Sequence, residues 1–328
     1  MRYSRLRHAS VGILLAAAAE LSRALAAPAI ITVPSALNLG TTSFFDGFGK
    51  TGEGFTLLQY ARYEDLNQIT DAHGNASPAF KGTDIQVFAS LTQIVYSSPL
   101  HPFGGDSLGL SALLPVINLN AHFASDSPAK LTGSGVGFGD LVWGPSYQSK
   151  TYRDAERPVF SWRFQLLVMS PTGHFDRHDS LNQSAGYWGI NPYVAFTWLP
   201  TPELEISSRL NYQHNLSSSH FADTPSVPGV VYLNGQAGDL VYGNLDASWE
   251  IAADLRVGIN GYFLDQLSPD QTNGQDVAHS LESQIYLGPG ARLVIDHENA
   301  VNANLYLPVE CRNCSQGPRL NFQFTHRF

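Results

Sequence analysis

Residues 319–328 read RLNFQFTHRF. Leu320, Phe322, Phe324, His326 and Phe328 share one parity, and Arg319, Asn321, Gln323, Thr325 and Arg327 share the other. Side chains alternate across a strand with period two, so this strand has one apolar face and one polar face. A strand of a soluble sandwich can read the same way. A terminal Phe on the apolar face points instead to a barrel strand with lipid outside and water inside.

The composition agrees. Only 14% of residues are charged, against about 25% in soluble domains. With 43% apolar residues, 29 Gly and 14 Tyr, this is an all-β chain whose apolar residues are spread thinly. A net charge of -9 and the lack of a basic patch argue against a nucleic-acid partner. Residues 1–26 read as an export signal. Arg2, Arg5, Arg7 and His8 precede the apolar run VGILLAAAA at 11–19, and Ala24-Leu25-Ala26 fits a cleavage site before Ala27. That run is too short to span a bilayer, which takes about 20 residues. No other stretch approaches a membrane helix, and no Cys lies near the cut to carry a lipid. The exported chain is therefore soluble in the periplasm or forms a β-barrel in the outer membrane of a Gram-negative bacterium.

Twelve alternating runs favour the barrel: 54–66, 83–97, 106–122, 137–149, 158–171, 185–199, 203–216, 237–251, 254–267, 280–296, 299–310 and 317–328. In 203–216, Leu204, Ile206, Leu210 and Tyr212 oppose Glu205, Ser207, Arg209, Asn211 and Gln213. In 237–251, Val241, Leu245, Ala247, Trp249 and Ile251 oppose Tyr242, Asn244, Asp246, Ser248 and Glu250. The runs at 83–97 and 106–122 are ambiguous in phase. A sandwich would show bulk water a polar face rich in Lys and Thr. The four Lys of this chain (Lys50, Lys81, Lys130, Lys150) all avoid the cleanly phased runs. All five Trp (Trp143, Trp162, Trp188, Trp198, Trp249) fall on apolar faces, most of them near strand ends, as an interfacial girdle requires. Links after odd-numbered runs are long and links after even-numbered runs mostly short, as external loops and periplasmic turns would be. The expected architecture is a transmembrane antiparallel β-barrel of about 12 strands over 54–328, preceded by a short N-terminal segment, 27–53, that either folds into the lumen as a plug or stays outside it as a disordered or rim-packed leader. Phe328 ends the closing strand and presents the C-terminal pattern to the barrel-insertion machinery; outer-membrane lipid is the other expected partner.

Several blocks carry a family resemblance: residues 37–49 (LNLGTTSFFDGFG), 134–145 (SGVGFGDLVWGP), 158–173 (PVFSWRFQLLVMSPTG), 190–203 (INPYVAFTWLPTPE), 255–267 (LRVGINGYFLDQL) and the ending RLNFQFTHRF. In order, they resemble the family named for the MetA pathway of phenol degradation, from about Leu37 to Phe328. The resemblance implies an outer-membrane barrel associated with catabolism of aromatic compounds. It carries no catalytic residues. The Cys311-Arg312-Asn313-Cys314 loop departs from the family pattern.

Candidate functional residues follow from the phasing. Phe44, Phe45, Asp46 and Phe48 form an aromatic plug or contact site for an apolar solute, because three Phe within five residues are poorly placed in water. Arg163, Gln165, Glu205, Arg209, Asn211, Asp246, Glu250, Arg256, Glu282 and Arg292 are expected to line the lumen, either selecting permeants or neutralising one another. Cys311 and Cys314 form a local disulfide across an external loop. No cofactor or metal is expected. His174, Asp176 and His178 have the chemistry of metal ligands, and His178 with Ser180 has that of a lipid hydrolase, but all lie in a loop of solvated composition. The glycines at 133–139 fail the phosphate-cradle pattern, with Phe138 or Asp140 at the third glycine position. Asp71 lacks the further acidic ligands of a calcium loop. The expected function is passive, non-enzymatic passage of small hydrophobic, phenol-like compounds. A lipid hydrolase or a purely structural barrel is the alternative.

Overall fold

The computed structural model describes residues 34–222 and 231–328; the export signal expected over 1–26 lies outside the described residues. Twelve long strands make up the wall: β1 (Gly54–Leu66), β2 (Asp84–Ser97), β3 (Ser107–His122), β4 (Leu141–Gln148), β5 (Arg157–Ser170), β6 (Gly189–Trp198), β7 (Leu204–Asn215), β8 (Leu240–Ala252), β9 (Leu255–Gln266), β10 (Ser283–Val294), β11 (Asn299–Arg312) and β12 (Arg319–Arg327). Each pairs antiparallel with its sequence neighbours. β12 returns to β1, with Thr56 opposite Arg327 and Glu64 opposite Arg319, so the sheet closes. Closure is what lipid demands, since a free edge would leave N–H and C=O groups without partners.

Strand boundaries lie close to the sequence expectation, with one instructive difference. The fourth run was expected as one strand over 137–149. It divides into Gly135–Phe138, which pairs only with the outer half of β3, and β4 itself. Pro115 of β3 stands opposite the break and has no N–H to give to the ladder. Gly139 N donates to Pro115 O at 2.9 Å. Asp140 leaves the ladder to accept from Gly173 N and Ala185 N, at 3.1 and 2.8 Å, pinning the loop after β5.

Long links at 67–83, 123–140, 171–188, 216–239 and 267–282 alternate with shorter ones at 98–106, 149–156, 199–203, 253–254 and 295–298. The last external link, 313–318, is shorter than the alternation predicted. There the bonded Cys311–Cys314 pair closes a tight turn, and Thr70 N donates to Cys314 O at 3.0 Å.

The two faces separate as the parity requires. Leu210, Leu245, Ile259 and Phe322 are exposed on the outside, while Glu205, Asn211, Asn244, Asn260 and Asn321 are buried inside. Trp198 and Trp249 stand exposed towards the end where the described N-terminal segment joins β1, and Trp143 and Trp188 towards the other end. The ambiguity of β2 and β3 has a physical cause. Their outer halves face inward with Ile85, Val87, Ala89, Ile117 and Leu119, which pack with Leu131 of the following loop into an apolar cluster. Their outer faces there carry Asp84, Gln86, Asn118, Asn120 and His122. Above the lipid the chemistry of the two faces inverts, so one rule cannot phase the whole strand.

A charge placed mid-strand on the lipid face tests this assignment. Ile259 is 65% exposed, and Ile259→Lys should destabilise the barrel in lipid vesicles by about 2–4 kcal/mol. The check is urea unfolding followed by heat-modifiable gel mobility; an unchanged midpoint would contradict a lipid-facing Ile259.

Candidate functional site

The lumen is occupied by residues 34–50, which climb from the base of β1 to the external loops. At the base, Lys50 Nζ donates to Phe328 O at 2.5 Å. At the top, Ser35 Oγ donates to Gln183 O at 2.8 Å, and Arg62 Nη2 donates to Ser35 O at 2.9 Å. Between these points the segment leans on one side of the wall. Gly40 N donates to Asn244 Oδ1 at 3.1 Å, and Asn321 Nδ2 donates to Gly40 O at 2.7 Å. Gly40 has φ +72°, and a Cβ there would lie 2.6 Å from the Tyr306 ring, so only glycine fits on both counts. Leu37 and Leu39 pack with the lumen tyrosines Tyr242, Tyr262, Tyr286 and Tyr306.

Asp46 is the strongest tie. Its Oδ1 accepts from Arg163 Nη2 at 2.9 Å and from Arg209 Nη2 at 2.6 Å, and its Oδ2 accepts from Arg209 Nε at 2.6 Å. The two arginines come from β5 and β7, with β6 between them, and Arg209 also lies 4.2 Å over the Tyr193 ring of β6. One carboxylate on the segment thus ties to two strands of the wall. Paired, hydrogen-bonded charges are the form in which charge survives burial.

Phe45 next door has φ 65°, a left-handed conformation unfavourable for a non-glycine residue. Its N–H donates to Glu205 Oε1 at 2.9 Å, and the guanidiniums of Arg256 and Arg292 lie 5.0 and 5.2 Å from its ring. These contacts offset the local strain, which is on the order of 1–3 kcal/mol. Phe44 is fully buried, and a Cβ on Gly290 would reach its ring at 3.1 Å. Phe48 packs against Phe45, with ring centroids 5.8 Å apart.

Other predicted residues are spread more widely. Gln165 accepts from the Tyr193 hydroxyl at 2.6 Å. Asn211 is buried, donating to Tyr242 O at 3.3 Å. Glu205 also accepts from Ser248 Oγ at 2.5 Å and closely from Ser207. Asp246 is buried near it. Glu250 and Arg256 pair at 2.6 Å at the turn between β8 and β9 rather than deep in the lumen, and Arg256 also donates to Glu203 O. Glu282 precedes β10 and sits at the external rim, where Gln284 donates to it. Arg292 donates to Asn302 Oδ1 at 3.0 Å. Phasing alone overlooked Tyr193, Thr197, Gln148 and the pairs that Glu64 forms with Arg62 and Arg319, at 3.0 and 3.7 Å. All occupy inward parity, which was the available signal. His174, Asp176 and His178 lie in the loop after β5, and no group of three metal-binding side chains forms among the described residues. Ser180 is buried in that same loop, away from the lipid-facing wall where an acyl ester would meet it.

Among the described residues, cavities remain beside the segment, two of which share one flank. The lower, about 100 Å3, lies between the segment, β1–β5 and the ends of β10 and β12. The upper, about 40 Å3, is walled by Leu91, Leu113, Val142, Leu167 and Met169 opposite Asn191 and Asn211. Tyr60, Gln93, Tyr193 and Arg209 line both, so the cavities follow one another along the same flank.

At the external end the loops after β5, β7 and β9 meet around Ala185, Tyr187 and Ala237. Asp270 accepts from Gly238 N at 2.9 Å and from Gln266, and Glu282 N donates back to Gln266 at 3.1 Å. Burial pushes Asp270 up to about 6 and Glu282 up to about 7, the latter helped by the charge of Asp270.

Two predictions follow from these contacts. Asp46→Asn removes the shared partner of two buried guanidiniums, a loss of about 3–5 kcal/mol where nothing replaces it. The segment should detach, and single-channel conductance in planar bilayers should rise; parental conductance would sink the assignment. At the external loops, protonated Asp270 and Glu282 favour the closed arrangement because their acidity is weaker there than in water. Closure should be tightest below about pH 4 and weaken as the pH rises, through about 6 and about 7. Hydrogen exchange over 267–282 should speed up across that range beyond its intrinsic pH dependence, and protection independent of pH would count against it.

The solved structures share this architecture. The COG4313 outer membrane channel from Pseudomonas putida F1 superposes with a TM-score of 0.73 at 12% identity, covering 88% of this chain and all of that one. The β domain of the Bordetella autotransporter BrkA gives 0.48 at 10% identity, over 84% of this chain and 100% of that one. The TodX monoaromatic hydrocarbon channel, in a deletion variant, gives 0.41 at 11%, over 86% and 92%. The first likeness establishes the fold as that of an outer-membrane barrel, and the other two are too distant to add to it. No curated protein matches the sequence. The family profile described as "Putative MetA-pathway of phenol degradation" matches residues 66–324. That match spans nearly all of the barrel, and the chain belongs to this family.

Proposed function

We propose that the protein is a passive outer-membrane channel for small hydrophobic, aromatic compounds, with residues 34–50 as a lumen plug. The observation that carries this reading is the pair of cavities on one flank of the segment, an apolar one above a polar one. A solute leaving lipid or the external loops meets Leu91, Leu113 and Met169 first, then the serines and glutamines below. The family's association with phenol degradation supports an aromatic cargo, and the description of the P. putida barrel as a channel supports passage.

Size sets the mechanism. The cavities measure about 100 and 40 Å3, less than the ~150 Å3 apolar cavity that takes up benzene. Ring transit therefore requires the segment to shift, and the Asp46 tie sets how readily it does so. Export by residues 1–26 and delivery to the insertion machinery through Phe328 complete the proposal.

The test is uptake of labelled phenol-type compounds at low concentration by intact cells with and without the chain. Uptake should slow without it and recover on re-expression. An unchanged rate across several aromatics would remove the cargo and favour a structural barrel.

A further inference from the structure

The chain carries 28 acidic and 19 basic residues, yet its lower cavity reverses that balance. The charged side chains on that cavity's wall are Lys50, Arg163, Arg209, Arg292 and Arg327 against Asp46 alone. Asp46 is shared by two of the arginines, leaving one net positive charge on that triad. Lys50 is taken up by Phe328 O. Among the described residues no carboxylate lies within ion-pairing distance of Arg292, which faces Asn302 and Phe45, or of Arg327.

The other lumen carboxylates lie off this cavity's wall. Glu205 is 0% exposed and is covered by the Phe45 N–H, Ser248 and Ser207. Glu64 pairs with Arg62 and Arg319 nearer the external end, and Glu250 pairs with Arg256. Neither Glu205 nor Asp246 reaches the cavity. The passage therefore runs from an apolar chamber past Arg209, common to both cavities, into a chamber with surplus positive charge. The Gln93 amide and the Ser146 hydroxyl line it and can replace part of an anion's water. Rings of Arg and Lys with low-dielectric walls concentrate anions.

We propose that the solute is an aromatic carboxylate: an apolar ring suited to the apolar lining of the upper chamber once the segment shifts, and a single anionic group drawn through the lower one. A phenol, with a pKa near 10 like that of tyrosine, is neutral at pH 7 and gains nothing from the lower chamber. A carboxylate is charged there and gains from both. This assignment rests on the channel reading and narrows its substrate class.

The experiment compares uptake of labelled benzoate and of labelled benzyl alcohol, its near-isosteric neutral counterpart, at pH 7 by intact cells. The cells carry the parent chain, the Arg292→Gln/Arg327→Gln variant, the Arg292→Lys/Arg327→Lys variant or no chain. Heat-modifiable mobility verifies that each variant folds. The chain-dependent component should favour benzoate. In the Gln variant the benzoate-to-benzyl alcohol ratio should fall on the order of tenfold, and in the Lys variant, which keeps the charge, it should stay near the parent's. Chain-dependent uptake of the alcohol or of phenol alone, or a Gln variant indistinguishable from the parent, would overturn the carboxylate assignment and leave the channel standing. If no aromatic, charged or neutral, enters in a chain-dependent way, the channel reading falls with it.

Discussion

Hydrocarbon offers a backbone N–H no partner, and the architecture depends on that constraint. β1 must find β12, which it does over Thr56–Arg327 to Glu64–Arg319. The seam also governs the lumen. Phe328 N donates to Phe55 O at 2.9 Å, and Phe328 O receives Lys50. The residues that complete the closing pair are thus the ones from which the N-terminal segment turns inward. An even number of strands brings both chain ends to the same rim, so a segment preceding β1 has the lumen as its nearest enclosed space.

A closed barrel of this size encloses a volume that must be filled or wetted. Here the segment fills it by close backbone approach. A Cβ on Gly47 would fall 2.2 Å from Thr197 N, and one on Gly40 would strike Tyr306. The tyrosines of β8–β11 form the surface against which Leu37 and Leu39 pack, with Tyr262 and Tyr286 stacked at 4.8 Å. Apolar packing alone would leave the backbone groups of the segment unsatisfied inside the barrel. Wall residues supply the partners: Asn244 and Asn321 for Gly40, Thr197 and Gln148 for Gly47, and Glu205 for Phe45. Many polar residues on the inner wall therefore serve a peptide rather than water, which explains why their burial is so complete.

This division of labour also explains what could be read from the sequence. Parity located the strands, the closing Phe and the inward position of Arg163, Glu205, Arg209 and Asp246, because lipid punishes a slip of one residue in every outward side chain at once. It was less useful where lipid ends. β2 and β3 rise beyond the membrane, and their apolar inner and polar outer faces blur the pattern. Pro115 and the break at Gly139 divided a run that alternation alone would join. The segment itself has no period, since it is neither helix nor strand. Its aromatic cluster was visible, but the partners of Asp46 were not: Arg163 and Arg209 lie 117 and 163 positions away. Two guanidiniums on alternate strands become neighbours only through the register of β5, β6 and β7, in which Arg163 and Arg209 both stand opposite Ala195.

The same register makes the charge of the passage a product of docking rather than of wall composition. Glu205 lies on the inner wall among arginines, and an uncovered lumen would present both signs. Docking of residues 34–50 buries Glu205 under the Phe45 N–H and sets Asp46 between two guanidiniums. Arg292 and Arg327 stay on the open flank. The segment meets both signs of the wall, its Phe45 N–H covering Glu205 and its carbonyls at Ser35 and Asp46 accepting from Arg62 and Arg163. An inserted segment thus narrows the lumen and, through Asp46, offsets one guanidinium charge in the same step. Displacing it would widen the passage, expose Glu205 and remove Asp46 from its arginines together. Pore width and ion preference are therefore coupled through a single docking equilibrium rather than set by separate parts of the barrel.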